Sequence, residues 1–402
     1  MKKLVLALLI TVFAAGLVVL WQGIHFLATG PLVPGEGEER IFEVLPGEGF
    51  YRVASRLEQQ QLISSALKFK ILARLSGRAE SLRVGEYAVR SDLRPIELLD
   101  ILSSGKSIER QITFPEGANI LEIANSIEAK GIGRKDEFLH KVRDPVLIEN
   151  LLGEKLPSLE GYLFPETYKY TKYTSLESLI RGMVERFKEN YKTFGYENSN
   201  MTRNQIVTLA SVIEKETGAP EERPLISSVF HNRLKRGMRL QSDPTIIYGI
   251  WSETGEWEKN ITREDITRPT AYNTYTVAAL PVGPIANPGR EALEAAGHPA
   301  TSEFLFFVSK NDGTHTFSEN LEQHNSAVQK FQLDRQAREG KSWRDLNKRE
   351  QTVPAVKSTM VKTTVITTKT TTTKTVTPAP KAIVPAKTDA GNNKAKKSKI
   401  QK

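Results

Sequence analysis

Apolar positions along this chain fall into three kinds of pattern. The first is a continuous run. Behind Lys2 and Lys3, Leu4 to Leu20 is almost free of polar residues, and Ile24, Phe26 and Leu27 carry the run beyond Trp21. About 20 helical residues span the ~30 Å core of a bilayer, so residues 1–29 are predicted to form one transmembrane anchor. The two lysines favour a cytoplasmic N-terminus, and Trp21 suits a membrane interface. A cleaved signal peptide is the competing reading, with Ala14, Ala15 and Gly16 as its small residues, but these lie mid-run. Either reading places the chain after Gly30 outside the cytoplasm. An anchor makes it a single-pass protein of the plasma (inner) membrane, with its bulk periplasmic or otherwise extracytoplasmic. Gly30 to Glu39, rich in Gly, Pro and Glu, reads as a short stalk.

The second pattern is helical spacing. In Asn204 to Thr217, Ile206, Leu209, Ala210 and Ile213 recur at three and four, which predicts an amphipathic helix with one buried face. Lys215 then points to water, and Glu214 and Glu216 sit on the two flanks of the apolar stripe. The same spacing predicts helices over Ser65–Leu75, Pro95–Leu102, Asp136–Leu152, Leu176–Tyr191 and Glu221–Arg236. In the last of these Leu225, Ile226, Val229, Phe230 and Leu234 face inward, and Gly237 ends it. Leu240 to Thr245 reads as a polar loop. Leu280 to Gly289, crowded with Pro and Gly, reads as a long ordered loop.

The third pattern is a short strand, a Pro/Gly turn and a helix. It occurs from Phe42 through Leu57 and again from Ile112 through Ile127. With the helix at Ser65–Leu75 and a strand at Gly85–Val89, the order from Ile41 to Val89 is strand, helix, helix, strand. That order looks like a LysM-type module, here residues 40–111, of a class that binds N-acetylated glycans. A scaffold that only positions its neighbour is the alternative. The expected fold class is α+β.

Composition removes several functions. There is no cysteine, so no disulfide framework, thiolate chemistry or Cys-based metal site. The net charge is +9, but from Gln351 onward there are 11 lysines and one acid, Asp389, so the tail carries +10 and residues 1–350 carry −1. The basicity belongs to the tail, and nothing argues for a nucleic-acid partner. Residues 350–402, rich in Thr and Lys, lack the apolar content to fold and are expected to be disordered. The tail reads as a solubilising extension, or as a cation for acidic envelope polymers or headgroups.

His231, His298, His315 and His324 show no ligand spacing, so no metal and no cofactor is expected. No Gly-x-Ser-x-Gly elbow is present. Carboxylates remain. Glu216 borders packed apolar surface between Leu209 and Val212, where lost solvation raises a carboxyl's pKa and suits a general acid. Both Glu214 and Glu216 can equally be rim carboxylates at a helix end. Glu160 and Glu166 lie among Tyr162, Phe164 and Tyr168, a mixture common in sugar clefts, although a packed aromatic turn explains it too.

Several long motifs then stand in one order. They are Leu209-Ala-Ser-Val-Ile-Glu-Lys-Glu-Thr217, Arg233-Leu, Gly237-Met-Arg-Leu-Gln-Ser-Asp-Pro-Thr245, Tyr248-Gly, Thr270-Ala-Tyr-Asn-Thr-Tyr275, Gly289 and His298-Pro-Ala. Glu160-Gly-Tyr162, Phe164-Pro165 and His315-Thr-Phe317 accompany them. Through these the chain resembles the MltG or YceG-like family of membrane-anchored endolytic murein transglycosylases, from the anchor to about Leu333. The resemblance implies a catalytic transglycosylase domain at residues 112–335, preceded by a LysM-like subdomain. It points to the second Glu of Glu-x-Glu, Glu216, as the catalytic residue, with Glu214 as runner-up. The candidate substrate-binding residues are Gln241, Ser242, Tyr248, Tyr272, Asn273 and Tyr275. Each can also be a loop-stabilising hydrogen bonder, the favoured role for Asp243 as a turn residue before Pro244. The implied reaction cuts the MurNAc-β-1,4-GlcNAc bond of nascent strands without water, leaving 1,6-anhydro ends and terminating elongation. The implied partners are peptidoglycan glycan strands, the membrane, and penicillin-binding proteins or other glycan polymerases. A non-catalytic wall-binding assembly protein and a hydrolytic muramidase are the alternatives. The basic tail departs from the family pattern.

Overall fold

The alternation in β1 (Glu39–Val44) puts Phe42 and Val44 inside and Ile41 outside, as a half-buried strand requires. A computed structural model describes residues 2–28, 37–196, 199–257 and 260–334. The Thr- and Lys-rich tail expected over residues 350–402 and most of the stalk therefore lie outside the described residues. The apolar N-terminal run forms one helix, α1 (Lys2–Ala28), and its Lys3–Gly23 portion is long and apolar enough to cross a bilayer.

β1 pairs antiparallel with β2 (Gly85–Arg90) along its whole length, from Glu39 opposite Arg90 to Val44 opposite Gly85. Between them run α2 (Phe50–Gln59) and α3 (Ala66–Leu75), the latter capped by the Ser65 hydroxyl; α4 (Pro95–Ser104) follows and ends at left-handed Gly105. Phe42, Val53, Leu57, Phe69, Tyr87, Leu98 and Leu102 close a core that belongs to this module alone. Its seam to the rest is polar. Tyr173 donates to Glu43 at 2.5 Å, Lys172 pairs with Glu43 at 2.6 Å, and Arg110 pairs with Glu86 at 2.6 Å.

The larger core begins with β3 (Arg110–Thr113), which pairs antiparallel with β4 (Thr167–Tyr170), a strand the periodicity does not reveal. α5 (Ile120–Ala129) starts from a capping box between Asn119 and Glu122. The single helix expected over Asp136–Leu152 is two, α6 (Lys135–Lys141) and α7 (Pro145–Leu152). Asp144 accepts from Val146 N and caps the second, and Pro145 fits only in a first turn. α8 covers Leu176–Tyr191, as expected.

α9 (Arg203–Glu216) departs from expectation. Every residue from Ile206 to Ile213 is buried, so its middle has no solvent face, and only its ends, at Gln205 and Lys215, reach water. Beyond the expected stripe, Val207, Thr208, Ser211 and Val212 are buried too, and they are small enough for other segments to approach. Ser211 Oγ donates to Thr208 O at 2.7 Å and accepts from Ile285 N at 3.0 Å, which brings in the Gly/Pro-rich loop. Around α9 stand α10 (Arg223–Lys235), α11 (Asp243–Thr254) and α13 (Arg290–Gly297), with short α12 (Arg263–Thr267) alongside α11. The chain then makes an antiparallel hairpin, β5 (Phe306–Ser309) with β6 (His315–Ser318), and α14 (Leu321–Val328). α11 begins at Asp243, inside the expected polar loop, because Pro244 opens its first turn.

A buried polar knot ties four distant segments together. Asn287 Oδ1 accepts from Leu163 N at 2.9 Å, and its Nδ2 donates to Ala118 O at 2.9 Å and Glu160 Oε1 at 3.0 Å. Glu160 Oε2 accepts from Ile120 N at 3.1 Å and Tyr248 Oη at 2.9 Å. Removing the amide strands Leu163 N–H and one oxygen of Glu160 without water, at about 1–3 kcal/mol for each unpaired group. Asn287→Ala is expected to lower stability by about 3 kcal/mol in chemical denaturation, whereas Leu321→Ala, on the surface, shifts it within ~0.5 kcal/mol.

Candidate active site

Successive side chains on a helix diverge by about 100°. The last turn of α9 therefore sends its three charged residues to three places. Glu214 turns to α10 and the loop before α13: its Oε1 accepts from Arg223 Nη2 at 3.1 Å and its Oε2 from Gly289 N at 3.0 Å. Arg223 also binds Glu291 and comes within 3.6 Å of Glu116. Glu214 is thus the buried anion of an ion pair. Lys215 donates to Gly117 O at 3.2 Å and stays exposed.

Glu216 faces a cleft of about 320 Å³ lined by Arg233, Leu240, Gln241, Asp243, Tyr275, Phe307 and His324. Its Oε1 accepts from Ser242 Oγ at 2.6 Å. Burial pushes its pKa up to about 7, and the Asp243 charge acts the same way, while the Ser242 hydroxyl and Arg233 pull it back. Ser242 is fixed in turn. Its N–H donates to Thr274 Oγ1 at 2.9 Å, and its carbonyl accepts from Thr245 Oγ1 at 2.6 Å. Gln241, left-handed at φ 53°, donates its N–H to Thr274 O at 3.3 Å. Tyr275 Oη donates to Asp243 Oδ1 at 2.6 Å. Two carboxyls, a phenol and an imidazole thus share one small cavity, with the buried Ser242 hydroxyl bonded to Glu216 at its wall. The sequence profile of the YceG-like family matches residues 42–330, which span this cleft and both cores.

The chain belongs to the YceG-like family. It is similar to the endolytic murein transglycosylase of Bacillus subtilis, 32% identical over 303 residues, 71% of this chain and 82% of the relative. It is also similar to that of Streptococcus pneumoniae, 31% identical over 315 residues, 70% of this chain but 56% of the relative. A crystal structure of a YceG-like protein from Listeria monocytogenes is 29% identical, with a TM-score of 0.49, covering 72% of this chain and 99% of that one.

In this YceG-like chain the structure gathers only some of the expected site residues. Gln241, Ser242 and Tyr275 meet Glu216 in the cleft. Tyr248 does not: it is 3% exposed and gives its hydroxyl to Glu160. Asn273 does not either. It is fully buried, its Nδ2 donates to the carbonyls of Asp265, Ile266 and Arg268, and its Oδ1 accepts from Tyr275 N, which positions Tyr275. Tyr272 packs edge-on against Tyr248 at 4.8 Å, away from the cleft lining. Asp243 is more than a turn residue, since its carboxylate faces the cleft. Glu160 is sealed at 1% exposure, Glu166 pairs with Arg186 at the surface, and neither lines the Glu216 cleft.

Spacing missed Arg233 and His324. Arg233 lies inward on α10 beside Ile226 and Phe230, and a cation on an apolar face was the available signal. Its Nε donates to Leu305 O at 2.7 Å and its Nη1 to Leu240 O at 2.8 Å. His324 stacks on Phe306 at 5.0 Å, and its buried Nδ1 has no hydrogen-bond partner among the described residues. No sequence signal singled it out.

Carbon-13 NMR of the Glu216 carboxyl should titrate near pH 7, well above the ordinary 4.5. Ser242→Ala removes a donor that favours the anion and should raise the midpoint; Asp243→Asn removes a nearby negative charge and should lower it. A midpoint in the ordinary carboxylate range would contradict the burial described above.

Proposed function

We propose that this chain is an endolytic murein transglycosylase in which Glu216 both gives and takes the proton. The observation that carries this reading is the Glu216 carboxyl itself, lifted to about 7 and held on one oxygen by Ser242 at the wall of a cleft. The family membership and the relatives' names support the reaction class.

Near neutral pH a large fraction of Glu216 is protonated and able to donate to the glycosidic oxygen as the bond to C1 breaks. Charge developing at C1 is met by the acetamido carbonyl of the same sugar, so no protein nucleophile is needed. The C6 hydroxyl then attacks C1 and gives its proton to the Glu216 carboxylate. The glycosidic bond is exchanged for an internal C6–O–C1 bond, the acid is regenerated, and no water enters. Ser242 stabilises the anion between the two transfers, and Gln241, Tyr275, Arg233 and His324 are the groups placed to orient sugar hydroxyls and amides.

A hydrolytic second reading has one observation in its favour: Asp243 shares the cleft, and ordinary glycosidases use two carboxylates. The Tyr275 hydrogen bond holds Asp243 as a charge-setting neighbour of Glu216 rather than as a base.

The apolar helix supports a single-pass anchor with its lysines inside, and the strand–helix–helix–strand module supports a LysM-like unit next to the membrane. That placement suits cutting of new strands where they emerge, with glycan polymerases as neighbours.

Incubation with purified glycan strands should yield 1,6-anhydro ends. Glu216→Gln should cut the rate by about 10³-fold or more while leaving the thermal midpoint within a few degrees. Asp243→Asn should retain cleavage. Reducing ends, or loss of cleavage in Asp243→Asn equal to that of Glu216→Gln, would replace this reading with hydrolysis; no cleavage at all would leave a wall-binding protein.

A further inference from the structure

α3 carries two apolar stripes, and the fold uses one. Phe69, Leu72 and Ala73 are buried in the module core. Leu67, Ile71 and Leu75, spaced by four, face outward at 66%, 52% and 81% exposure. Tyr51 of α2 adds a ring at 67% exposure, and the Lys70 ammonium lies 3.5 Å from its centre. Among the described residues beyond α1, other exposed large apolar side chains do not repeat along one helix face in this way. Every charged residue on α3 is basic: Lys68, Lys70 and Arg74.

Aligned leucines and isoleucine left in water are costly, and a row this regular marks a surface that something covers. Three features identify the cover. The stripe is narrow, which suits shallow insertion at the acyl–headgroup boundary better than a broad protein interface. Its flanks are cationic, which matches anionic headgroups, and long Lys and Arg stems can lie along the acyl boundary while their charges reach phosphate. The module is also tethered close to lipid: ten residues separate α1 from β1, a reach of at most about 35 Å.

We infer that the outward face of α3 docks on the anionic surface of the bilayer that holds α1. The inference rests on α1 being a retained anchor. It gives the membrane-proximal module a second attachment point, so the module lies on the membrane instead of swinging on its stalk. Glycan binding is not required of this face.

The absence of cysteine makes the test specific. Full-length protein carrying an environment-sensitive dye at Leu75→Cys is placed in phosphatidylcholine vesicles with and without phosphatidylglycerol, some containing nitroxide-labelled lipid. A second protein is labelled at Val146→Cys, an exposed site on α7 (66% exposed). The Leu75 label should shift to the blue and be quenched by nitroxide lipid, more strongly with phosphatidylglycerol and less at high salt, while the Val146 label stays aqueous. Adding Leu67→Asp and Ile71→Asp should bring the Leu75 signal down to the Val146 level. Vesicle flotation in the same samples reports the anchor separately. Protein that floats with an aqueous Leu75 label overturns docking and leaves the anchor standing. Protein that fails to float overturns both. A Leu75 shift that ignores lipid charge and grows with protein-to-lipid ratio identifies a second copy as the cover and overturns the membrane assignment.

Discussion

A helix buried on every side can present a reactive group only at its end. α9 is such a helix, with no exposed residue from Ile206 to Ile213, and its final residue is Glu216. The carboxyl is close enough to the packed interior to lose solvation and close enough to the cleft to meet a substrate. Raising a carboxyl from 4.5 to about 7 opposes ionisation by about 3 kcal/mol. Because the folded-state pKa lies above the unfolded one, this group favours folding at low pH, and its contribution is lost as pH rises from the ordinary carboxylate range through about 7. The fold thus gives up some stability at neutral pH to keep a proton on hand.

Three glutamates near α9 show that burial alone does not make a catalyst. Burial pushes Glu160 up to about 8, higher than Glu216, yet it is 1% exposed and held by Ile120, Tyr248 and Asn287. Glu214, two residues from Glu216, is held by Arg223 and Gly289 N–H. Of these three, Glu216 is the one that opens onto a cleft, and there burial keeps its pKa near 7. The other two do different work: one knots the Gly/Pro-rich loop to α5 and α11, the other pins the end of α9 to α10 and the start of α13. Neither lines the Glu216 cavity.

Much of this was legible in the sequence, and the exceptions have physical causes. Spacing located the ends of α8, the strand–helix–helix–strand module and the ordered loop before Gly289. It gave α9 one buried face, whereas Thr208 and Ser211, off that face, are buried as well and Ser211 serves the loop. The family motifs grouped Tyr248 and Asn273 with Ser242 and Tyr275 as site candidates. Hydrogen bonding separates them, since a fully buried tyrosine or asparagine must satisfy its polar atoms, and theirs go to Glu160 and to backbone carbonyls. Arg233 and His324 reach the cleft through contacts between α10, α14 and the β5–β6 hairpin, which no local pattern encodes.

The central claim is that one carboxyl serves both proton transfers. The pH dependence of kcat/KM tests it most directly, because it counts the titrating groups the free enzyme needs. With Glu216 alone, the rate is flat at low pH and falls along a single alkaline limb centred near 7. A bell with a second, acidic limb in the ordinary carboxylate range would show that another ionised carboxylate is required and would contradict the account.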